Sequence, residues 1–110
     1  MLVYKILRAD EWAHLQTAGE TAGAPVDRAD GYVHFSTRPQ LAGTLARHFA
    51  GEDDLTLLAV EADNLGAELR WEASRGGNLF PHLYRALRLA DVVSVQRLPL
   101  VDGAHRLPVR

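Results

Sequence analysis

Runs and alternations of apolar residues divide the chain into short strands. Leu2–Leu7 and Leu55–Glu61 are mostly apolar and are predicted to be buried strands. Val92–Leu98 has the same character and ends before a proline, so it is predicted to be the last long strand. Glu68–Glu72 alternates charged and apolar residues, which is typical of a strand with one buried face.

Helical spacing is confined to two places in the N-terminal half. A polar run precedes Trp12, and Gly19 is suited to end the short helix that starts there. Thr37 and Gln40 have the spacing of a capping box, and a helix is predicted over residues 38–49. Its apolar stripe contains Leu41, Leu45, His48 and Phe49, spaced for one buried face.

The connecting segments complete an α+β domain. Residues 19–31 contain four glycines or prolines and several acids, and are predicted to be a loop. Residues 101–110 are predicted to form a peripheral tail or hairpin. Helices near the N-terminus followed by strands indicate an α+β fold rather than a doubly wound sheet, and 110 residues suit a single domain.

Composition narrows the function classes. A formal charge of −2 gives no long-range attraction to nucleic acid or to an anionic membrane, so neither is expected as a partner. The absence of cysteine excludes disulfides and thiolate chemistry. No signal peptide and no apolar run of about 20 residues is recognisable, which together predict a cytoplasmic protein.

The segment 30–37 holds the most chemistry. An Asp-Gly turn leads into a predicted strand, Tyr32–Ser36, and the strand leads into a helix start. Strand alternation places Tyr32, His34 and Ser36 on one face and two apolar residues on the other. Because the apolar face packs on the core, the opposite face is left with a phenol, an imidazole and a hydroxyl.

The segment Phe80–Tyr84 repeats this arrangement. Alternation places His82 and Tyr84 on the same face as Phe80, with Leu83 on the other. Two aromatic and histidine faces in one small domain indicate a pocket. His34 and His82 are therefore predicted to approach each other across one concave site, although 48 positions separate them.

Further candidates lie at the helix start and in the glycine-rich loop. Ser36 and Thr37 occupy N-cap positions, and the free amides of that helix start can also receive an anion such as phosphate. Arg75 begins a Gly-Gly loop whose backbone can hold a phosphate. Glu72 is the best-placed carboxylate near that loop. The histidines are too scattered for a sequence-local zinc site, so no metal is expected.

Four motifs together resemble domain-of-unknown-function family 952, a set of short bacterial proteins. The motifs are Asp30–Thr37, Leu45–Phe49, Leu69–Glu72 and Phe80–Tyr84, and the resemblance covers Tyr4 to about Leu100. That family is in turn similar in fold to the ADP-ribosyltransferases. The resemblance therefore implies a split, curved, mostly antiparallel sheet with two short helices near the N-terminal half, and a cleft that holds NAD.

Carried over by residue, the resemblance places Lys5 at the first-strand position that contacts the nicotinamide ribose, where relatives commonly have histidine. Tyr32, His34, Ser36 and Thr37 supply the second motif. No glutamate matches the third motif. Because a carboxylate usually assists the oxocarbenium-like step, its absence argues against ordinary protein ADP-ribosylation.

Three functional hypotheses remain open at this point. The first is a cleft that binds NAD, as substrate, or another ADP-ribose-containing nucleotide, with or without catalysis on it. The second is a non-enzymatic module for another phosphorylated or aromatic metabolite, and the third is a protein-interaction surface. The candidate catalytic residues are His34, His82 and Glu72, and the candidate ligand-binding residues are Lys5, Tyr32, Ser36, Thr37, Arg75 and Tyr84.

Overall fold

Two three-stranded antiparallel sheets form the frame of the domain. The computed structural model describes residues 1–108, and within that range the side chain of Arg75 lies outside the description. The first sheet has the order β1-β4-β8 and contains β1 (Leu2–Leu7), β4 (Leu55–Glu61) and β8 (Val92–Leu98). The second has the order β3-β6-β5 and contains β3 (Val33–His34), β6 (Leu79–Leu83) and β5 (Leu69–Ala73).

The two sheets meet at a single backbone bridge. Tyr4 in β1 donates its N–H to the carbonyl of Ser36 at 2.8 Å, and Ser36 donates to the carbonyl of Tyr4 at 2.9 Å. Within residues 1–108, no further backbone pairing joins β1 to β3. The chain therefore forms a split sheet whose two halves part next to the bridge.

Two smaller strand pairs complete the described fold. One joins β2 (Glu20–Thr21) to β7 (Leu87–Arg88). The other joins β9 (Leu100–Val101) to β10 (Ala104–His105), and its turn residues Asp102 and Gly103 both have positive φ, at 53° and 81°. Such a turn matches the twist of a hairpin. The end of the described chain therefore contains a short hairpin over residues 100–105, and residues 109–110 lie outside the described part.

Three α-helices lie in the N-terminal half, rather than the predicted two. They are α1 (Ala9–Ala18), α2 (Pro25–Asp30) and α3 (Leu41–His48), and a 3-10 turn over Arg38–Gln40 leads into α3. With antiparallel sheets and few short helices, the mixed α and β class is confirmed. The structure does not bear out curvature of the sheets, which are uncurled.

The prediction of a loop over residues 19–31 is wrong. This segment contains β2 and α2, and α2 begins with Pro25 and is followed by Gly31, whose φ is 87°. Proline suits the first helical position and glycine suits the left-handed position after the last, so the residues taken as loop signals mark the two ends of a helix. His48 is also misplaced, because it is exposed at the end of α3 rather than buried.

The core lies on both faces of the first sheet. One cluster spans both sheets and packs under α1, and it includes Val3, Leu15, Leu58, Val33 and Phe35. The other packs under α3, and it includes Tyr4, Ile6, Leu41, Leu45 and Leu57. The predicted inward orientation of Val33 and Phe35 is therefore confirmed, and the opposite face of their segment is free to form a site.

The burial difference between two paired residues gives a test of this core. Leu58 in the central strand is completely buried, whereas its Cα partner Val95 in the edge strand is 47% exposed. We expect Leu58→Ala to lower the free energy of unfolding by about 2–5 kcal/mol and Val95→Ala to change it by less than about 0.5 kcal/mol. Urea denaturation measures both, and equal losses would contradict the assigned core.

Candidate functional site

The split leaves the backbone of His34 without a strand partner on the β1 side. Phe35 donates to the carbonyl of Pro81 in β6, so the backbone groups of His34, one residue earlier, point the other way, toward β1. There Asp27 Oδ1 accepts the N–H of His34 at 3.0 Å, and Lys5 Nζ donates to its carbonyl at 3.1 Å. The Lys5–Asp27 pair therefore takes the place of a paired strand.

Asp27 is the centre of this arrangement, and its side chain is completely buried. Its Oδ2 accepts from Lys5 Nζ and from the N–H of Ala24, both at 2.7 Å, and its Oδ1 contacts Nδ1 of the His34 ring. Burial alone would raise the pKa of Asp27, but the hydrogen bond from His34 and the charge of Lys5 outweigh burial and lower that pKa from 3.8 to about 2. The backbone at Gly23 approaches so closely that an added Cβ would lie 2.1 Å from Oδ2.

The second ring nitrogen of His34 also faces a carboxylate. Nε2 of His34 lies 3.0 Å from Oδ2 of Asp30, which is the last residue of α2 and has a side chain 43% exposed. A neutral imidazole has one N–H and can donate to only one of these two carboxylates at a time. Both nitrogens of His34 therefore lie within hydrogen-bonding distance of carboxylates of the domain itself.

Four side chains form an aromatic–histidine cluster on the exposed face of the second sheet: Tyr32, His34, His82 and Tyr84. His34 and His82 are Cα partners in the β3–β6 pair, and their ring centroids are 5.4 Å apart. The ring of Tyr32 stacks on His82 at 4.2 Å and lies 4.6 Å from His34 and 5.1 Å from Tyr84. The predicted approach of the two histidines is confirmed.

Glu72 in β5 connects two members of this cluster. Its Oε1 accepts a hydrogen bond from Nδ1 of His82 at 2.8 Å and from the hydroxyl of Tyr84 at 2.7 Å. The hydrogen bonds from Tyr84 and His82 lower the pKa of Glu72. The hydrogen bond between Tyr84 and Glu72 also raises the pKa of Tyr84. The guanidinium of Arg70 lies 4.7 Å above the Tyr84 ring and extends the cluster.

An open cleft of about 1190 Å³ runs from this cluster along the split to α3. Ser36 lies on its wall and shares a 2.8 Å hydrogen bond between hydroxyl groups with Thr44 of α3. Arg8 and Arg47 add positive charge farther along the cleft. Its lining includes five of the predicted site residues: Lys5, Tyr32, His34, Ser36 and His82.

Three other predicted residues, Glu72, Thr37 and Tyr84, lie beside the cleft rather than on its wall. Tyr84 borders an adjoining recess of about 330 Å³, which shares Tyr32 with the main cleft. Thr37 occupies the start of the 3-10 turn, where its N–H donates to Gln40 Oε1 at 2.9 Å. This is one of the two hydrogen bonds that make up the predicted capping box. The side chain of Arg75 lies outside the described part of the chain.

The sequence-based prediction missed Asp27 and Asp30, because both fall in the segment taken for a loop. The signal was present: Pro25 at a first helical position, acids within the following turns, and Gly31 after the last. These features predict a short helix that carries two carboxylates.

Two negative findings apply to residues 1–108. No group of three or more histidine, aspartate or glutamate side chains in that range is arranged to hold a metal ion. No helix there combines the length and apolar character that crossing a bilayer requires.

Comparison with other proteins establishes the family. The family model described as "Protein of unknown function (DUF952)" matches residues 6–95, and the chain belongs to this family. No curated protein matches the chain.

The chain is similar to solved structures of CC0527 from Caulobacter crescentus. Its crystal structure is 47% identical, covers 96% of this chain and 94% of its own, and has a TM-score of 0.92. Its solution NMR structure is 46% identical, covers 94% and 90%, and has a TM-score of 0.84. The split sheet is therefore similar to an experimentally determined fold.

The two carboxylates that face His34 differ in burial, and this difference is testable. Asp27→Asn leaves the buried ammonium of Lys5 without its counter-ion, so we expect a loss of about 3–5 kcal/mol in the free energy of unfolding. Asp30→Asn changes an exposed contact and should cost less than about 1 kcal/mol. Denaturant unfolding of both variants measures this, and similar losses would show that Asp27 does not hold the split together.

The lowered pKa of Asp27 also predicts a pH dependence. Because the pKa of Asp27 is lower in the folded state, its ionised carboxylate stabilises the fold fully at pH values above 3.8, the ordinary pKa. This contribution is lost as the pH falls through about 2. The loss amounts to about 2 kcal/mol, from about 1.4 kcal/mol per pKa unit. The gap in stability between wild type and Asp27→Asn should therefore narrow over this window in urea unfolding. A gap that is constant with pH would contradict the assignment.

Proposed function

We propose that the domain binds NAD or another ADP-ribose-containing nucleotide in the cleft. The observation that carries this proposal is the position of the aromatic–histidine cluster, which lies at one end of a large cleft and next to the split in the sheet. The faces of Tyr32 and the two histidines can stack on a flat ring, and the hydroxyl of Tyr32 and Nε2 of His82 can bond a ribose.

The size of the cleft and an arginine on its wall support a nucleotide rather than a smaller ligand. Its volume of about 1190 Å³ lies above the usual range for small-molecule pockets, roughly 300–1,000 Å³. Arg47 lines the cleft away from the cluster, where it can attract a phosphate group, whereas Arg8 on the same wall is already paired with Glu52. A ligand with a ring at one end and a pyrophosphate along its length fits this distribution.

The split sheet supports an ADP-ribosyltransferase-like arrangement as part of the proposal. Lys5 lies on the first strand beside the split, and Tyr32, His34 and Ser36 lie on or next to the strand across it, as the family resemblance implies. Glu72 differs from the carboxylate that such enzymes use, because it bonds His82 and Tyr84 and does not line the cleft.

The position of Glu72 also favours a second candidate. Without a carboxylate from the third motif on the cleft wall, the same cleft suits a non-enzymatic module that binds another phosphorylated or aromatic metabolite. A protein-interaction surface is less well supported, because Tyr32, His34 and His82 line a concave site together rather than spreading over a flat one.

Thermal unfolding of the whole chain distinguishes these candidates. A ligand that binds only the folded state raises the melting temperature, and at a hundredfold excess over Kd it adds about 2.7 kcal/mol of stability. We expect NAD or ADP-ribose to raise the melting temperature, and unrelated nucleotides and nicotinamide alone to have smaller effects. A response limited to other phosphorylated metabolites would favour the second candidate, and no response to any of them would contradict both.

His34 provides the matching mutational test. Losing an aromatic ring that stacks on a base typically costs about 1–3 kcal/mol, so His34→Ala should weaken ADP-ribose binding roughly five- to a hundredfold. His105→Ala is the control, because His105 lies in the hairpin over residues 100–105 and does not line the cleft. Isothermal titration calorimetry measures both affinities. Equal affinities for the two variants would place the ligand elsewhere.

A further inference from the structure

The two histidines of the cluster differ in how many of their ring nitrogens the domain engages. His34 has a carboxylate at each nitrogen, Asp27 at Nδ1 and Asp30 at Nε2. His82 has a carboxylate at Nδ1 alone, where Glu72 lies at 2.8 Å. The two histidines therefore differ in the contacts of their ring nitrogens, although they occupy similar positions in the two sequence segments.

The second nitrogen of His82 borders open space. Among the described residues, no buried side-chain nitrogen or oxygen lacks a hydrogen-bond partner. Within that same part of the chain, no residue bonds Nε2 of His82, although the residue is only 4% exposed. Nε2 is therefore among the few atoms of His82 that reach the surface, and His82 lines the cleft.

We propose that Nε2 of His82 is the group that exchanges a proton with a molecule bound in the cleft, with Glu72 as its positioning residue. The inference deepens the proposed function and rests on its binding site. In the forward step, an O–H bond of the bound molecule or of a water beside it breaks, its electron pair stays on oxygen, and the proton joins the lone pair of Nε2. The imidazolium formed lies against the carboxylate of Glu72.

The contacts around His82 fix the tautomer that this step needs. The carboxylate of Glu72 accepts the N–H of Nδ1, so the lone pair of the neutral ring is on Nε2, facing the cleft. Tyr84 donates to the same Oε1 and holds that oxygen in place. Tyr32 stacks on the ring and restricts its rotation. A carboxylate that orients a histidine through Nδ1 is the arrangement found in general-base dyads.

Nitrogen NMR of the 15N-labelled whole chain tests the tautomer, since protonated and unprotonated imidazole nitrogens have different shifts. In its neutral form, His82 should be protonated at Nδ1 in the wild type. Glu72→Gln and Tyr84→Phe keep an acceptor oxygen at position 72 and should retain this form. Glu72→Ala should shift His82 toward the Nε2-protonated form. A wild-type ring protonated at Nε2, or a tautomer unaffected by Glu72→Ala, would overturn the proposal.

Reaction with diethyl pyrocarbonate tests whether Nε2 is accessible, because this reagent acylates unprotonated imidazole nitrogens. We expect peptide mapping to find His82 modified together with the exposed His14, despite the burial of most of His82. Modification of His14 with none at His82 would overturn the proposal. Neither measurement uses NAD, so a failure of nucleotide binding and a failure of the His82 assignment give separate results.

Discussion

The ion pair between Lys5 and Asp27 is the constraint on which the rest of the domain depends. Two charged groups are removed from water, which is costly unless every remaining donor and acceptor is satisfied. Here the surrounding groups meet that condition, because Asp27 also accepts from two backbone amides and from the ring of His34. The pair closes a split that would otherwise leave the backbone of His34 unpaired, and it docks α2 against both sheets.

The Lys5–Asp27 ion pair also explains why His34 and His82 have different contacts in the aromatic–histidine cluster. The ring of His34 is held by the same carboxylate that supports its backbone, so its orientation is tied to the integrity of the split. His82 lies on a continuous ladder between β3 and β5 and needs no such support. Its Nδ1 is held by Glu72 from the neighbouring strand, which leaves one nitrogen available for chemistry.

The register of the β5–β6 ladder determines which side chains Glu72 contacts. In the β5–β6 ladder Glu72 is the Cα partner of Phe80, and the next residue on the same face of β6 is His82. This diagonal places the carboxylate within hydrogen-bonding distance of His82 and Tyr84, behind the wall of the cleft. A carboxylate in that position contacts the histidine and does not line the cleft, which distinguishes this site from one with a glutamate on the cleft wall.

The sequence by itself determined which face each strand turns toward the core, because side chains alternate strictly along a strand. For that reason the aromatic and histidine faces of Tyr32–Ser36 and Phe80–Tyr84 were predictable. The helix over residues 38–49 was predictable from its cap and its apolar spacing. Only the tertiary structure decided which side chains contact one another in the site. Asp27 lies in a six-residue helix whose Val26 is 56% exposed. The helix therefore has no buried apolar stripe from which it could be predicted. Its role arises from the parting of β1 and β3, a long-range feature that local pattern does not encode.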